Sequence, residues 1–258
     1  MDENHLIKKT YERLSRSKLL EPVSHMIQLA ENLKLNKYKD KKMNNEIKIN
    51  IGCSKSPTKG WINYDNSYGL ILSKFGPIIN MLYKLRIISE DQLEVASSYK
   101  ENKVILANVI KKIPHKNNSV DVVYSSHMLE HFSQEDAKLC LIEIRRILKK
   151  DGILRLALPD LKAKVDEYIK SGDADNFIYE TYMWPPTPKS FIGRLYLFFT
   201  GPRHHQWMYD SNSLIKLLLD CGFINPKSLQ AGDTLIPNPG NLNLFERDDD
   251  SFYVEATG

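Results

Sequence analysis

Long hydrophobic runs are missing from this 258-residue chain. No apolar stretch reaches the roughly 18 residues that a membrane-spanning helix needs. The polar start, MDENHLIKKTYERL, also lacks the apolar segment of a secretory signal. We therefore expect a cytoplasmic protein that does not insert into a membrane.

Cysteine is also scarce. The three cysteines, Cys53, Cys140 and Cys221, are scattered without the spacing of a metal site or a disulfide framework. The histidines and carboxylates likewise show no metal-like spacing along the chain. These absences predict a reduced compartment, no disulfide bonds and no bound metal.

Glycine is lacking where a dinucleotide-binding protein needs it. In INIGCSKSP, Ser54 and Ser56 stand where the G-x-G-x-x-G pattern has glycines, which let the backbone approach a pyrophosphate. The short connection that follows also leaves no room for a phosphate-facing helix. NAD and FAD therefore fit poorly, and a nucleotide-like ligand without phosphate fits better.

The charge balance is mild. The net charge of +4 comes largely from the lysine-rich first half, including NKYKDKK, which favours a solvated face over attraction of phosphorylated substrates. The sequence has no long basic stripe with interleaved aromatics and no Asn-Pro-Pro-Tyr-like motif for a flipped base. We predict no nucleic-acid partner.

Four short apolar runs rich in β-branched residues are present. They are typical of strands buried on both faces of a parallel sheet. A periodic apolar pattern within residues 3–35, followed by a charged stretch, predicts a helical extension and linker over 1–45, with an α/β domain over 46–258. The four runs are IKINI (47–51), KVILA (103–107), VDVVYS (120–125) and ILRLAL (153–158).

A helix is predicted between the last two runs. Ser133 and Asp136 resemble a capping box at its start, and KKDG (149–152) supplies cations and a glycine for its end. A second helix is predicted to begin on Asp210 or Ser211 and to end at Gly222. The closing SFYVEA is predicted to be the last strand.

Two connections are unusual. Only residues 52–60 separate IKINI from WINYD, although a parallel crossover normally takes a dozen residues or more. Either a compressed turn replaces the helix, or 61–65 is a short edge element. In contrast, 66–102 is long and carries its own apolar pattern, which predicts a helical insertion near the ligand site.

Open parallel sheets bind ligands at the carboxyl ends of their strands. Polar and glycine residues follow several predicted strands here, so we expect a ligand at this edge. The residues are Gly52, Asp65, Asn108, His127 and Glu130.

Four segments together resemble class I S-adenosylmethionine-dependent methyltransferases, in particular predicted methyltransferases linked to bacterial polysaccharide and glycan pathways (the methyltransferase type 11-like group). The resemblance covers about residues 47–256. It implies a Rossmann-like, seven-stranded, mostly parallel sheet with helices on both faces. The segments are INIGCSKSPTKGWINYD, IPHKNNSVDVVYSSHMLEHF, EIRRILKKDGILRLALPDL and WMYDSNSLIKLLLDCGF.

The resemblance also implies roles for individual residues. Gly52 would lie beneath the methionine portion of S-adenosylmethionine, and Asp65 would accept hydrogen bonds from both ribose hydroxyls. Asn108 would lie near the adenine, where the family often has Asp, and Ser54 stands where it usually has glycine. The implied cofactor-binding residues are Gly52, Cys53, Ser54, Asp65, Asn66, Asn108, Val109, Ser126, His127 and Glu130.

Alternatives to these roles remain. Gly52 and Asp65 are also typical of a plain turn, and Glu130 and His131 are equally typical of packing at the start of the following helix. Asp160 is favoured as a helix cap.

Methyl transfer to a hydroxyl benefits from a general base, and histidine is the usual choice near pH 7. The candidates are His127, His131, His204 and His205. The aromatic segment 172–209 is predicted to be a lid over the acceptor. In it Arg203 would hold a phosphate or carboxylate, and Trp207 or Tyr209 would pack on a sugar ring. A structural loop whose histidines bind backbone is the competing interpretation.

We therefore expect a methyltransferase that uses S-adenosylmethionine to methylate an oxygen of a small carbohydrate-linked or phosphorylated acceptor. An inactive scaffold protein with the same fold is the main alternative, and a nucleic-acid methyltransferase is a weaker one.

Overall fold

Seven strands form one sheet in the computed structural model. Residues 46–66, 70, 73, 76–85, 88–184 and 204–258 are described below, and all belong to the unit Glu46–Gly258. The predicted extension at 1–45 and the segment 185–203 of the predicted lid lie outside these residues. The strands are β1 (Lys48–Ile51), β2 (Ile62–Asp65), β3 (Ile105–Leu106), β4 (Val120–Ser126), β5 (Leu148–Pro159), β6 (Ile224–Leu229) and β7 (Ser251–Thr257).

The helices lie between these strands. None in the described part of the chain is long and apolar enough to cross a membrane. A single 3-10 turn, Leu129–His131, follows β4. The α-helices are α1 (Gly76–Lys84), α2 (Glu90–Glu101), α3 (Gln134–Ile147), α4 (Leu161–Ser171), α5 (Ala174–Glu180) and α6 (Ser211–Asp220).

The strand order is β3-β2-β1-β4-β5-β7-β6. The first five strands of this order are parallel, whereas β7 is antiparallel to both β5 and β6. The predicted Rossmann-like, mostly parallel sheet of seven strands is therefore confirmed. Strand β6 has no clear sequence signal, because INPKSL contains a proline and its side chains are exposed or half-buried.

A compressed turn joins β1 to β2. Asn63 closes it, because its side chain accepts from the Thr58 amide at 2.8 Å and donates to the Thr58 carbonyl at 3.0 Å. Asn50 donates to the Thr58 hydroxyl at 3.1 Å. Of the two alternatives, the edge element is wrong, since β2 lies between β1 and β3.

Most predicted helix starts are confirmed. The Ser133 side chain caps α3 by accepting from the Asp136 amide at 3.1 Å. Asp160 caps α4, and Asp210 caps α6 in a capping box with Ser213. These caps satisfy amides that have no partner within their helices.

The predicted end of α3 at KKDG is wrong. The helix stops at Ile147, and the chain enters β5 directly at Leu148, which is fully buried and pairs with Val120 of β4. Burial of Leu148 in the core favours the strand over another helical turn. Lys149 and Lys150 are therefore exposed residues of β5.

The core lies on both faces of the sheet because strand side chains alternate. One face packs against α3 and α6, with Val123 and Leu154 facing those helices. On the opposite face, Tyr124 and Ile153 pack against Ile236 and Leu242 of the segment 230–250, which has no helix. This segment covers that face of the sheet and is bonded to the buried ion pair of Arg155 and Glu255, since Arg155 donates to the Asp233 carbonyl and Glu255 accepts from the Leu235 amide.

Candidate functional site

The carboxyl ends of β1 and β2 form the first part of the site. The amides of Gly52 and Cys53 donate to the Tyr64 carbonyl at 2.8 and 3.2 Å. Asp65 is only 6% exposed, and its Oδ2 accepts from the Ser54 amide at 2.8 Å. The two residues expected to hold the donor are therefore neighbours, and Asp65 also holds the turn after β1.

Met128 lies directly against Gly52. A Cβ built on Gly52 would come within 2.5 Å of the Met128 sulfur, and the Gly52 φ is +66°, which favours glycine. The side chain that leaves no room for a Cβ at position 52 is thus Met128, which belongs to the protein itself. This contact does not depend on a cofactor.

We expect Gly52→Ala to destabilise the fold by about 2–4 kcal/mol, since a backbone penalty adds to a steric clash. Gly60→Ala is the matched control, because Gly60 has a φ of +85° with nothing within 4 Å of a Cβ. It should show the backbone penalty alone, about 1–2 kcal/mol. Urea unfolding measures both. Equal losses of unfolding free energy in the two variants would show that Met128 moves aside freely. Adding Met128→Ala to Gly52→Ala should relieve only the clash and leave the backbone penalty.

The other residues after β1 and β2 differ in accessibility. Cys53 is buried against Leu70 and Tyr99. Burial, and then the negative charge of Asp65, raise the pKa of its thiol well above the usual range. The thiol is therefore mostly protonated near neutral pH, which makes it a poor nucleophile. Asn66 is exposed.

Asn108 and Val109 follow β3, the neighbour of β2. Asn108 is half-buried, and its Oδ1 accepts from the amides of Ile110 and Lys111 at 3.1 and 3.3 Å. Val109 is buried in the core. The structure thus brings Gly52, Asp65 and Asn108 to adjacent strand ends, with Asn108 holding its own turn.

Ser126 ends β4, and His127 follows it with a φ of +47°. The His127 amide donates to the Ala157 carbonyl at 3.0 Å, and its Nε2 lies 2.7 Å from the Ser251 hydroxyl. The His127 ring is therefore fixed between β4 and β7. Its Nδ1 points toward Glu130 at 3.5 Å.

Glu130 is fully buried and is surrounded by histidines. Its Oε1 lies 3.5 Å from His127 Nδ1, 3.8 Å from His205 Nε2 and 4.0 Å from His131 Nε2. Neither of its oxygens has a hydrogen-bond partner within the described part of the chain. Three of the four histidines predicted as base candidates therefore meet at one carboxylate.

Burial shifts the pKa values of these groups. It raises the pKa of Glu130 to about 8, against the smaller effects of a backbone hydrogen bond and of Arg247. Burial, and then the charge of Arg247, lower the pKa of His127 to about 3. Burial, and then His131, lower the pKa of His205 to about 4. Desolvation thus favours the neutral forms of all three side chains.

The segment 204–209 reaches this cluster through its backbone as well as through the His205 side chain. The amides of Gln206 and Trp207 donate to the Glu130 carbonyl at 2.7 and 3.2 Å. His131 Nδ1 lies 3.2 Å from the His204 carbonyl, and His205 Nδ1 lies 2.9 Å from the Thr181 carbonyl. His204 thus meets the cluster through its backbone carbonyl, which faces His131 Nδ1.

The residues predicted to contact the methyl acceptor differ in how exposed they are. Trp207 is 41% exposed, so its ring is accessible to a ligand. Tyr209 is 3% exposed and packs in the core, which removes its ring from any sugar at the surface. Burial, and then the charge of Glu130, raise the pKa of its hydroxyl to about 12. Arg203 lies outside the described residues.

The sequence interpretation missed Glu130 as the centre of the cluster. Among the described residues, Glu130, His131 and His205 are a group whose ligand atoms lie within 4.8 Å of one another. The absence of metal-like spacing along the chain therefore did not exclude a group of this kind in three dimensions. The sequence signal for this cluster was the concentration of histidine and glutamate in the segments HMLEH and HH. However, 73 residues separate His131 from His204 in the chain.

Part of this region resembles a known family. Residues 85–156 match the family model of a methyltransferase domain. The matched methyltransferase segment runs from before α2 into β5 and includes Asn108, His127, Glu130 and His131. It supports methyl transfer with S-adenosylmethionine as the cofactor, and it says nothing about the acceptor. No curated protein matches the sequence.

Solved structures give weaker similarities. A SAM-dependent methyltransferase from Thermotoga maritima, described as a possible histamine N-methyltransferase, is 16% identical with a TM-score of 0.44, and the alignment covers 98% of each chain. One from Methanosarcina mazei is 15% identical over 83% of this chain and 93% of its own, with a TM-score of 0.45. One from Archaeoglobus fulgidus is 14% identical over 90% and 94%, with a TM-score of 0.42.

Proposed function

We propose that this chain is an S-adenosylmethionine-dependent methyltransferase that methylates an oxygen of a small carbohydrate-linked or phosphorylated acceptor in surface polysaccharide biosynthesis. The observation that carries the donor half of this proposal is the match of residues 85–156 to a methyltransferase domain. The position of Asp65, buried beside the turn after β1, is consistent with it.

The donor would lie across the carboxyl ends of β1, β2 and β3. Asp65 would accept from the ribose hydroxyls, and the backbone at Gly52 to Ser54 would line the methionine portion. Asn108 Oδ1 is already used in its own turn, so its amide nitrogen is the group left to meet the adenine. The competing interpretation is that the same residues only stabilise the turns that follow the strands.

Transfer itself is an in-line displacement, so holding the acceptor oxygen, the methyl carbon and the sulfur in line is the main task. The acceptor hydroxyl must also lose its proton. The Glu130 cluster would supply the group that accepts this proton, since Met128, which packs against Gly52, is two residues before Glu130. Trp207 is an accessible aromatic residue beside it.

Titration calorimetry with S-adenosylmethionine and S-adenosylhomocysteine tests the donor half directly. We expect one site per chain with a Kd of about 1–100 µM, equivalent to about −8 to −5.5 kcal/mol. A methyl-labelled donor incubated with a panel of sugars, sugar phosphates and nucleotide sugars then tests the acceptor half. No binding of either cofactor at millimolar concentration would contradict the whole proposal, whereas binding without transfer to any sugar would contradict only the acceptor.

A scaffold protein without catalysis is the second candidate. It is favoured by two observations: Met128 fills the space against Gly52, and the Asp65 carboxylate already holds the Ser54 amide. The same calorimetry separates the two functions, because a scaffold of this kind has no need to bind the donor.

A further inference from the structure

Glu130 is a buried carboxylate in an unusual position. It is 0% exposed, and neither oxygen accepts a hydrogen bond from any described residue. An ionised carboxylate buried in this way is costly unless a positive group compensates it. Buried polar atoms without partners are rare in native structures and call for a specific reason.

The two nearest histidine Nε2 atoms do not resolve this cost. His205 Nδ1 faces the Thr181 carbonyl, and His131 Nδ1 faces the His204 carbonyl. Carbonyl oxygens only accept, so both Nδ1 atoms must be the protonated donors. In the neutral rings, Nε2 is then a lone-pair atom, and each Nε2 faces Glu130. When Glu130 is ionised, lone pairs from two imidazoles and a carboxylate therefore converge on one point.

We propose that Glu130, His131 and His205 bind a divalent first-row transition metal ion. Zn²⁺ in a tetrahedral site has its ligand atoms ~3.3 Å apart, given bonds of about 2.0–2.1 Å. The Glu130 Oε1 to Nε2 separations are 3.8 Å for His205 and 4.0 Å for His131, so each atom needs to move by only a fraction of an ångström. Two imidazoles with one carboxylate select such ions over Mg²⁺ or Ca²⁺.

The surroundings match those of metal-binding histidines elsewhere. A ligating histidine usually donates its second ring nitrogen to a carbonyl or a carboxylate, which fixes the ring and its tautomer. Both His131 and His205 do this with backbone carbonyls. His127 borders the site without being one of the three proposed ligands: its Nε2 is bonded to the Ser251 hydroxyl, and its Nδ1 lies 3.5 Å from Glu130 Oε1.

The site is open on one side. The side chain of His131 is 35% exposed, whereas those of His205 and Glu130 are 10% and 0% exposed. Three protein ligands with an open fourth position are typical of catalytic rather than structural zinc sites. An ion there supplies a Lewis acid that lowers the pKa of a bound hydroxyl. The site is inferred from geometry alone and does not depend on methyl transfer.

Metal titration of the purified protein, first stripped of metal with a chelator, tests the proposal. We expect one Co²⁺ per chain with the intense visible bands of a four-coordinate ion, and Zn²⁺ should displace it. Glu130→Gln and His131→Ala should each weaken Co²⁺ binding by about 100-fold or more, because each removes one of three ligands. His115→Gln is the matched control: His115 is half-buried and bonded to the Tyr64 hydroxyl, outside the cluster, and this variant should bind Co²⁺ like the wild type.

Thermal unfolding provides a second readout. In the metal-free protein, Glu130→Gln replaces a buried acid by an amide that donates to the histidine Nε2 atoms, so its Tm should equal or exceed that of the wild type. Added Zn²⁺ should raise the Tm of the wild type and of His115→Gln, but not that of Glu130→Gln. If Glu130→Gln does not fold, His131→Ala carries the comparison, because its side chain is the most exposed of the three.

Two results would overturn the proposal: a wild-type chain that binds neither Co²⁺ nor Zn²⁺, or variants of the cluster that bind Co²⁺ as the control does. Neither result bears on the donor, because S-adenosylmethionine binding is measured separately. Conversely, a chain that binds the metal but no donor would retain the site and lose the proposed function.

Discussion

Replacing Asp65 with alanine should weaken S-adenosylmethionine binding by about 100-fold or more, since each of two charge-assisted hydrogen bonds contributes about 1.5–3 kcal/mol. Asp65 is buried at the end of β2, where its carboxylate would accept from the ribose hydroxyls in the proposed donor site. Asp65→Asn keeps the volume and one acceptor oxygen, so its loss should be smaller, about tenfold. Titration calorimetry measures both.

Asp65 also holds the Ser54 amide, so a loss of binding has to be separated from a loosened turn. Asp121→Ala is the matched control. Asp121 also accepts from a backbone amide, that of Ile47 at 2.8 Å, but it lies at the start of β4, the opposite end of the strand from the site. We expect it to lower stability and to leave donor binding unchanged. If Asp65→Ala binds the donor like the wild type, the donor lies elsewhere.

Arg155→Met should be the most destabilising of these substitutions, by about 3–5 kcal/mol, because it leaves an uncompensated buried charge on Glu255. Both side chains are fully buried, with Nη1 and Oε1 2.7 Å apart. Arg155 also donates to the carbonyls of Asp233 and Leu244, and its Cζ lies 4.9 Å from the Tyr253 ring centroid. The substitution therefore frees the segment 230–250 as well. Urea unfolding gives the change in free energy.

A double variant distinguishes the buried charge from the lost packing. Arg155→Met with Glu255→Gln removes the unpaired charge, while an amide oxygen remains to accept from the Leu235 amide. The double variant should therefore be more stable than Arg155→Met alone. Lys162→Met is the surface control, since Lys162 and Asp166 form an exposed ion pair at 2.6 Å. Such a pair should contribute nothing measurable to the free energy of unfolding. If Arg155→Met is no more destabilising than this control, the buried pair does not hold the segment 230–250.

Local sequence signals predicted a large part of the fold. Apolar β-branched runs indicated β1, β3, β4 and β5, because a strand covered on both faces needs such residues along its whole length. The caps at Ser133, Asp160 and Asp210 were predictable for the same local reason: each side chain reaches an amide within three residues of itself. The positions of Gly52, Asp65 and Asn108 at strand ends followed from the parallel order.

Other features had no local signal. The end of α3 was decided by burial of Leu148 against β4, which overrode the cations and glycine that follow it. The cover formed by 230–250 depends on an ion pair between residues 100 positions apart. An ion pair between residues so far apart in the chain leaves no recognisable sequence pattern around either residue.

By itself the sequence determined most of the strands and their ends, and it predicted where a nucleotide-like ligand would lie, because hydrophobic periodicity and capping act over a few residues. Only the tertiary structure decided that Met128 packs on Gly52, that Tyr209 belongs to the core, and that Glu130 meets three histidines. Those contacts join segments that are adjacent only once β4, β5 and the segment 204–209 have packed together, so distance along the chain carries no information about them.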